Sequence, residues 1–84
     1  MGKHEKRERV LTGLLDHPWV SGLTLCGLVE VGPGPVFAVL DWLEAVGWAE
    51  SAVDPSEKRV QRRLYALTAA GRTQVQKELG LYNW

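Results

Sequence analysis

The stretch that decides the fold is GLTLCGLVEVGPGPVFAVLDWLEAVGWAESAVDPSEKRVQRRLYALTAAGR, residues 22–72. Apolar residues recur every three or four positions on both sides of a Gly-Pro-Gly sequence, a pattern typical of two amphipathic helices separated by a turn. We expect these helices at about 22–30 and 35–46. Ser21 is suited to cap the first helix, because its hydroxyl can accept a hydrogen bond from a free backbone N–H. Gly47 is suited to end the second helix in the left-handed conformation.

Segments of strand and helix character surround this pair of helices. A charged turn joins two short segments that predict a β-hairpin, with strands at about 48–53 and 60–67. Apolar stripes predict a preceding helix at about 4–15 and a final helix at about 69–79. Trp19-Val20 is interpreted as a short strand or a buried connector. The sequence therefore predicts a mainly α fold with a small β-hairpin (α+β), a single winged helix-turn-helix domain over all 84 residues.

Charge patterning narrows the classes of function. Basic and acidic residues are equal in number, yet residues 1–9 carry a net charge of +2, residues 10–53 a net charge of −5 and residues 54–84 a net charge of +3. Local basic patches matter more for nucleic-acid affinity than total charge. The expected electrostatic contacts are therefore the N-terminal arm and the segment with Lys58, Arg59, Arg62 and Arg63. No Lys or Arg occurs between Val10 and Val53. The second helix of the pair, the candidate reading helix, therefore has no cation of its own.

No motif indicates catalysis or a cofactor. The sequence contains no nucleophile–base–acid set and no glycine-rich phosphate loop, so we expect neither an enzyme nor a bound cofactor. His4 and His17 have no Cys or acid at ligand spacing, and we expect no metal site. Cys26 is the only cysteine, which excludes an internal disulfide. With no apolar run of about 20 residues, these features favour a cytoplasmic protein that contacts no membrane.

Two segments carry a resemblance to a known family. Residues 32–48 read GPGPVFAVLDWLEAVGW, and residues 62–72 read RRLYALTAAGR. Together, in this order and at this separation, they resemble the PadR-type winged-helix regulators and, more loosely, the MarR-type regulators. The resemblance implies a sequence-specific DNA-binding transcriptional regulator, a repressor that binds double-stranded DNA as a small homodimer.

The resemblance also implies which residues contact DNA. The reading helix and the tip of the hairpin, the wing, would contribute Gly34, Pro35, Phe37, Ala38, Asp41, Lys58, Arg59 and Arg62. Phe37 and Ala38 are able to touch thymine methyl groups, and Asp41 is able to accept a hydrogen bond from a cytosine amino group. We expect the cations of the wing to supply the stronger, phosphate-directed attraction.

Apolar residues away from the hairpin indicate contacts with another protein chain. Those expected at a dimer or partner interface are Val10, Leu14, Trp42, Leu79, Leu81, Tyr82 and Trp84. The end of the chain could instead cover the first helix of the same chain. For Phe37 and Trp42, contact with a groove or a partner and folding back over the core are both open.

Two other functions fit the same predicted fold. An acidic, apolar reading helix favours a winged-helix module that binds another protein and has no strong affinity for DNA. The narrower alternative is a recombination accessory factor that bends DNA. Both alternatives use the predicted architecture. The first contacts a protein in place of DNA, and the second is distinguished from a repressor by a large bend in the bound DNA.

Overall fold

A computed structural model describes residues 5–56 and 62–81. Its elements are α1 (Glu5–Asp16), β1 (Val20–Ser21), α2 (Gly22–Val29), α3 (Pro33–Ala45), β2 (Ala49–Val53), β3 (Arg63–Leu67) and α4 (Ala69–Glu78). This order confirms the predicted winged helix-turn-helix fold. The first residue of the predicted first helix and residues 60 and 61 of the predicted return strand lie outside the described residues.

The predicted hairpin belongs to a three-stranded antiparallel sheet with the strand order β1-β3-β2. Val20 pairs with Tyr65, so the second residue of the predicted segment Trp19-Val20 is in a strand. Trp19 is an exposed turn residue with a φ of 58° and is neither strand nor buried connector. Ala49 pairs with Leu67 on the other side of β3, which makes β3 the central strand. Both faces of its second half are covered, and Tyr65 and Leu67 are buried.

The start of α3 differs from the expectation, because the helix begins at Pro33 and not at Pro35. Gly32 is the N-cap in an extended conformation, and the first helical hydrogen bond runs from the Val36 N–H to the Gly32 carbonyl at 3.2 Å. Both prolines lie in the first turn, where backbone N–H groups have no partner within the helix. Two residues of the predicted turn are therefore helical, and Glu30, with a φ of 56°, makes the sharp change of direction after α2.

Ser21 and Gly47 stand at helix ends as the sequence predicts, and Thr68 caps a further helix. Ser21 Oγ accepts a hydrogen bond from the Thr24 N–H at 3.1 Å and fixes the start of α2. Thr68 Oγ1 accepts one from the Gly71 N–H at 3.0 Å and fixes the start of α4. Gly47, with a φ of 79°, lets the chain leave α3 towards β2.

One apolar core joins the helices to the sheet. Its fully buried side chains are Val10, Leu11, Leu14, Leu25, Val36, Leu40, Leu43 and Val75. Val10 and Leu14 were expected at a dimer or partner interface, and this placement is wrong. Their side chains are 0% exposed because α1 packs this stripe against α2 and α3 of the same chain.

Helix length also bears on membrane insertion. Within residues 5–56 and 62–81, no single helix is long and apolar enough to cross a membrane. Taken together, α2 and α3 have the length and composition of a membrane-spanning segment, and the two helices are bent by 119° relative to each other.

Candidate nucleic-acid interface

The face of α3 that points away from the core carries small side chains. Val36, Leu40 and Leu43 form the buried stripe of this helix. At about 100° per residue, Ala38 lies on the opposite side of the helix from Val36. Gly34, Ala38 and Asp41 are exposed there. This face projects little beyond the helix backbone, a shape that permits close approach to another surface.

Phe37 lies to one side of that face and is half-buried. Its ring packs so closely against Gly22 at the start of α2 that a Cβ on Gly22 would overlap the ring. Phe37 also lines a cavity of about 330 Å³ between the first turn of α2 and β3. Arg62 and Arg63 contribute to the same cavity. The sequence left the orientation of Phe37 open, and the structure packs it against α2.

Trp42 lies on the other flank of α3, about 140° around the helix from Phe37. It is 37% exposed, and its ring meets Trp48 edge-on with centroids 5.2 Å apart. The guanidinium carbon of Arg7 lies 4.2 Å from the centroid of the Trp42 ring. Trp42 is therefore packed between Arg7 of α1 and Trp48, which immediately precedes β2, and only part of its ring is available to a partner.

The base of the wing is held by a compact set of hydrogen bonds. The Asp54 N–H donates to the Arg62 carbonyl at 2.7 Å, which closes the hairpin. The Ser56 hydroxyl and N–H both donate to Asp54 Oδ1, at 2.7 and 3.0 Å. These hydrogen bonds, with a smaller contribution from Arg62, hold the pKa of the Asp54 carboxyl below its ordinary value. Arg62 is exposed at this base, whereas Lys58 and Arg59 lie outside the described residues.

Arg63, which shares the cavity with Arg62, also takes part in a chain of hydrogen bonds. Its Nη1 donates to Ser51 Oγ at 3.1 Å, and Ser51 Oγ donates to Glu44 Oε2 at 2.8 Å. This chain of hydrogen bonds ties β3 and β2 to the end of α3. Burial, followed by the negative charges of Glu44 and Asp41, raises the pKa of the neighbouring Tyr65 phenol. Sequence reasoning missed this network, because no local pattern relates these residues.

Four residues near the end of the chain were expected at an interface, and the structure describes two of them, Leu79 and Leu81. Leu79 is half-buried and packs against the core of its own chain. Leu81 is 58% exposed and remains available to a partner. Tyr82 and Trp84 lie outside the described residues. Of Leu79 and Leu81, Leu81 therefore has the more exposed side chain.

A second cavity, of about 400 Å³, is lined by residues of α1 and of the end of α2. Acidic residues predominate in its lining, which includes Glu5, Glu8, Asp16 and Glu30 together with Arg9 and His17. Within residues 5–56 and 62–81, no group of three or more His, Cys, Asp or Glu side chains has the geometry to hold a metal ion. Cys26 is a free thiol and is half-buried against the core.

The helix pair, the three-stranded sheet and the hairpin define a winged helix-turn-helix protein. The chain belongs to the transcriptional regulator PadR-like family, which it matches over residues 22–77. The matched region begins at the first residue of α2 and ends in the last turn of α4. It therefore includes every element that builds the outer face of α3 and the wing.

Solved structures of transcriptional regulators share this fold. The PcaV regulator from Streptomyces coelicolor, in complex with its natural ligand, is 26% identical, with a TM-score of 0.77 over 92% of this chain and 52% of that chain. The repressor CouR, bound to a 23-mer DNA duplex, is 23% identical, with a TM-score of 0.76 over 92% and 53%. MepR from S. aureus, in a DNA complex, is 19% identical, with a TM-score of 0.74 over 92% and 62%.

The solved regulators are longer than this chain. The chain spans about half the length of PcaV and CouR. No match to a curated protein was found. The likeness to CouR and MepR establishes the fold, and the family match establishes the class of regulator.

Proposed function

We propose that this chain is a sequence-specific DNA-binding transcriptional repressor that acts as a homodimer. The observation that carries the proposal is the family match, since it covers the helix pair and the wing in full. The CouR and MepR structures, which have the same fold, contain DNA. In the proposed complex α3 enters the major groove and the wing lies along the adjacent backbone.

The proposed groove contact relies on shape and on few polar groups. Gly34 and Ala38 would let the α3 backbone approach the base edges, with the Ala38 methyl near a thymine methyl. Asp41 would accept a hydrogen bond from a cytosine amino group. Pro35 and the exposed edge of Phe37 would complete the contact at the start of the helix. This face would read thymine methyl groups and hydrogen-bond donors on the bases, because α3 carries an acceptor in Asp41 and no cation.

The wing would supply the electrostatic attraction. Arg62 is exposed, and Asp54 and Ser56 fix the backbone beside it. In the proposed complex Arg62, Lys58 and Arg59 neutralise phosphates, and each neutralised phosphate releases counterions. The binding constant should then fall steeply with salt. Leu81, Tyr82 and Trp84 would contribute to the dimer contact, and the protein would act in the cytoplasm.

Substitution of Arg62 tests the wing contact. Arg62→Gln should weaken DNA binding and reduce the slope of log K against log salt by about one unit, the value for one lost phosphate contact. Arg72→Gln removes the same charge from an exposed position on α4 and serves as the matched control. Fluorescence anisotropy with a labelled duplex at several salt concentrations measures both quantities. Equal slopes for wild type and both variants would remove Arg62 from the mechanism.

One observation favours a second function, a module that binds another protein. On α2, Leu23 and Leu28 are 63% and 49% exposed. Together with the cation-free region from Val10 to Val53, they give α2 and α3 an apolar and acidic surface. Under this alternative, Leu23→Ser with Leu28→Ser would abolish capture of the partner without changing the fold. Loss of DNA binding by the same change, with no partner captured, would count against it.

A further inference from the structure

A cluster of Arg7, Trp42, Trp48 and Glu78 connects three helices. Arg7 stands near the start of α1, Trp42 is on the flank of α3, and Glu78 is the last residue of α4. Arg7 Nη2 donates to Glu78 Oε1 at 2.7 Å, while the same guanidinium lies over the Trp42 ring at 4.2 Å. One side chain thus touches both the end of α4 and the side of the candidate reading helix.

Trp48 forms the fixed side of this cluster. Its N–H donates to the Leu43 carbonyl at 2.8 Å, and its carbonyl accepts from the Thr68 N–H at 3.0 Å. Its carbonyl oxygen also lies directly against Gly71 in the first turn of α4. The Trp48 backbone is therefore held from two directions, and its ring gives Trp42 a rigid edge-on neighbour.

Arg7 is the more weakly held member of the cluster. Its Nε is buried and has no hydrogen-bond partner, so the guanidinium is held by the Glu78 ion pair and by the Trp42 ring. The side chains of the ion pair are 30% and 37% exposed, and an ion pair with that much access to water contributes only modestly. A cation stacked on an indole adds an attraction of similar size. A small displacement of α1 or α4 could break either contact.

We propose that Arg7 is a positioning residue for α3, which sets the orientation of the reading helix by clamping Trp42 against Trp48 while Glu78 holds the guanidinium in place. This inference rests on the proposed function and adds to it a mechanical link from α1 and α4 to the DNA-binding face. Trp42 and Asp41 are neighbours in the chain, and Ala38 lies one turn before Trp42. A substitution at Arg7 should therefore change the positions of the side chains proposed to contact DNA, although Arg7 makes no DNA contact in this proposal.

A double-mutant cycle tests whether Arg7 acts through Trp42. Arg7→Met keeps the aliphatic stem and removes the charge, and it should weaken DNA binding about three- to tenfold, the range expected from loss of a cation–π contact. The salt slope should stay unchanged, because no phosphate contact is lost. In a Trp42→Leu background the effect of Arg7→Met should disappear. Arg72→Met, which removes an exposed cation from α4, is the matched control.

Two results would overturn the proposal. Additive effects of Arg7→Met and Trp42→Leu would show that Arg7 acts independently of the ring. A salt slope lowered by about one unit would show that Arg7 is itself a phosphate contact. Should Arg7→Met fail to fold, Arg7→Lys takes its place, since it keeps a charge for Glu78 and loses the planar stack on Trp42.

A measurement without DNA separates this proposal from the proposed function. Glu78 is linked to the cluster through its ion pair with Arg7. Under the proposal, Glu78→Gln should therefore shift the indole N–H resonance of Trp42 and the amide resonances of Ala38 and Asp41, and this shift should be absent in an Arg7→Met background. Two-dimensional NMR spectra of the labelled protein record these shifts. Unchanged resonances would overturn the positioning role even if the protein binds DNA. Shifted resonances in a protein that binds no DNA would retain the mechanical link and refute the proposed function.

Discussion

The carbonyl oxygen of Trp48 lies against the Cα of Gly71, so closely that a Cβ at position 71 would overlap it. This contact joins Trp48, three residues after the end of α3, to the first turn of α4. Gly71 is required here by space and not by backbone conformation, because it lies within an ordinary helix. The contact therefore locks α4 to the chain segment that leaves the candidate reading helix.

Gly71→Ala should consequently destabilise the protein strongly. The added methyl meets backbone atoms that cannot rotate away, and we expect a loss of about 3 kcal/mol or more in the free energy of unfolding. Gly27→Ala is the matched control, since nothing lies within 4 Å of a Cβ at that position of α2. It should stabilise the protein by about 0.5–1 kcal/mol, because alanine is the better helix former. Urea denaturation of both variants measures these differences. Similar stabilities for the two would contradict the close contact.

Thr68 should be sensitive to loss of its hydroxyl. Thr68 Oγ1 donates to the Gly47 carbonyl at 2.8 Å and accepts from the Gly71 N–H. Thr68→Val removes both hydrogen bonds at nearly constant shape, and we expect a loss of about 2 kcal/mol. Thr68→Ser retains the hydroxyl and should cost less than about 0.5 kcal/mol. Thermal unfolding followed by circular dichroism compares the two, and equal melting temperatures would exclude this role for the hydroxyl.

Ionisation of Tyr65 should make the free energy of unfolding depend on pH in the alkaline range. Burial and the carboxylates of Glu44 and Asp41 raise the pKa of the Tyr65 phenol above its ordinary value of 10.0. The folded state then favours the protonated phenol, so its contribution is complete below pH 10 and is lost as pH rises through the folded-state pKa. Ultraviolet titration in a Tyr82→Phe background, where Tyr65 is the only tyrosine, measures this pKa. Tyr65→Phe should remove that part of the pH dependence, and a titration at the ordinary value would contradict the burial.

Leu40 tests the core beneath α3. Its side chain is 0% exposed, and Leu40→Ala should cost about 2–5 kcal/mol because a cavity remains. Leu28→Ala, at a position that is 49% exposed, removes the same atoms and should cost far less. Chemical denaturation gives both values. A small loss of unfolding free energy for Leu40→Ala would contradict the packing of α3 on the core.

Local chemistry made most of the fold predictable. Ser21 and Thr68 cap α2 and α4 because the hydroxyl and the N–H that it accepts from are only three residues apart. The start of α3 was less predictable, since proline is compatible with several positions in a first turn and the pattern cannot distinguish Pro33 from Pro35.

The environment of the candidate site was less accessible to sequence reasoning. The exposed face of α3 follows from helical periodicity, and the orientations of Phe37 and Trp42 do not. The Arg7–Glu78 ion pair joins residues 71 positions apart, and only the tertiary fold brings them together. Val10 and Leu14 were placed at an interface because an apolar stripe has the same periodicity whether it meets the chain's own core or a partner.

Selection from random duplex DNA by the purified protein tests the central claim most directly. At about 100 mM salt, phosphate contacts still contribute but no longer mask sequence preference. A dimeric repressor of this fold should recover a motif with two half-sites about one helical turn apart, or a multiple of it. Absence of any enriched sequence, with folding confirmed by circular dichroism, would contradict the DNA-reading role of α3.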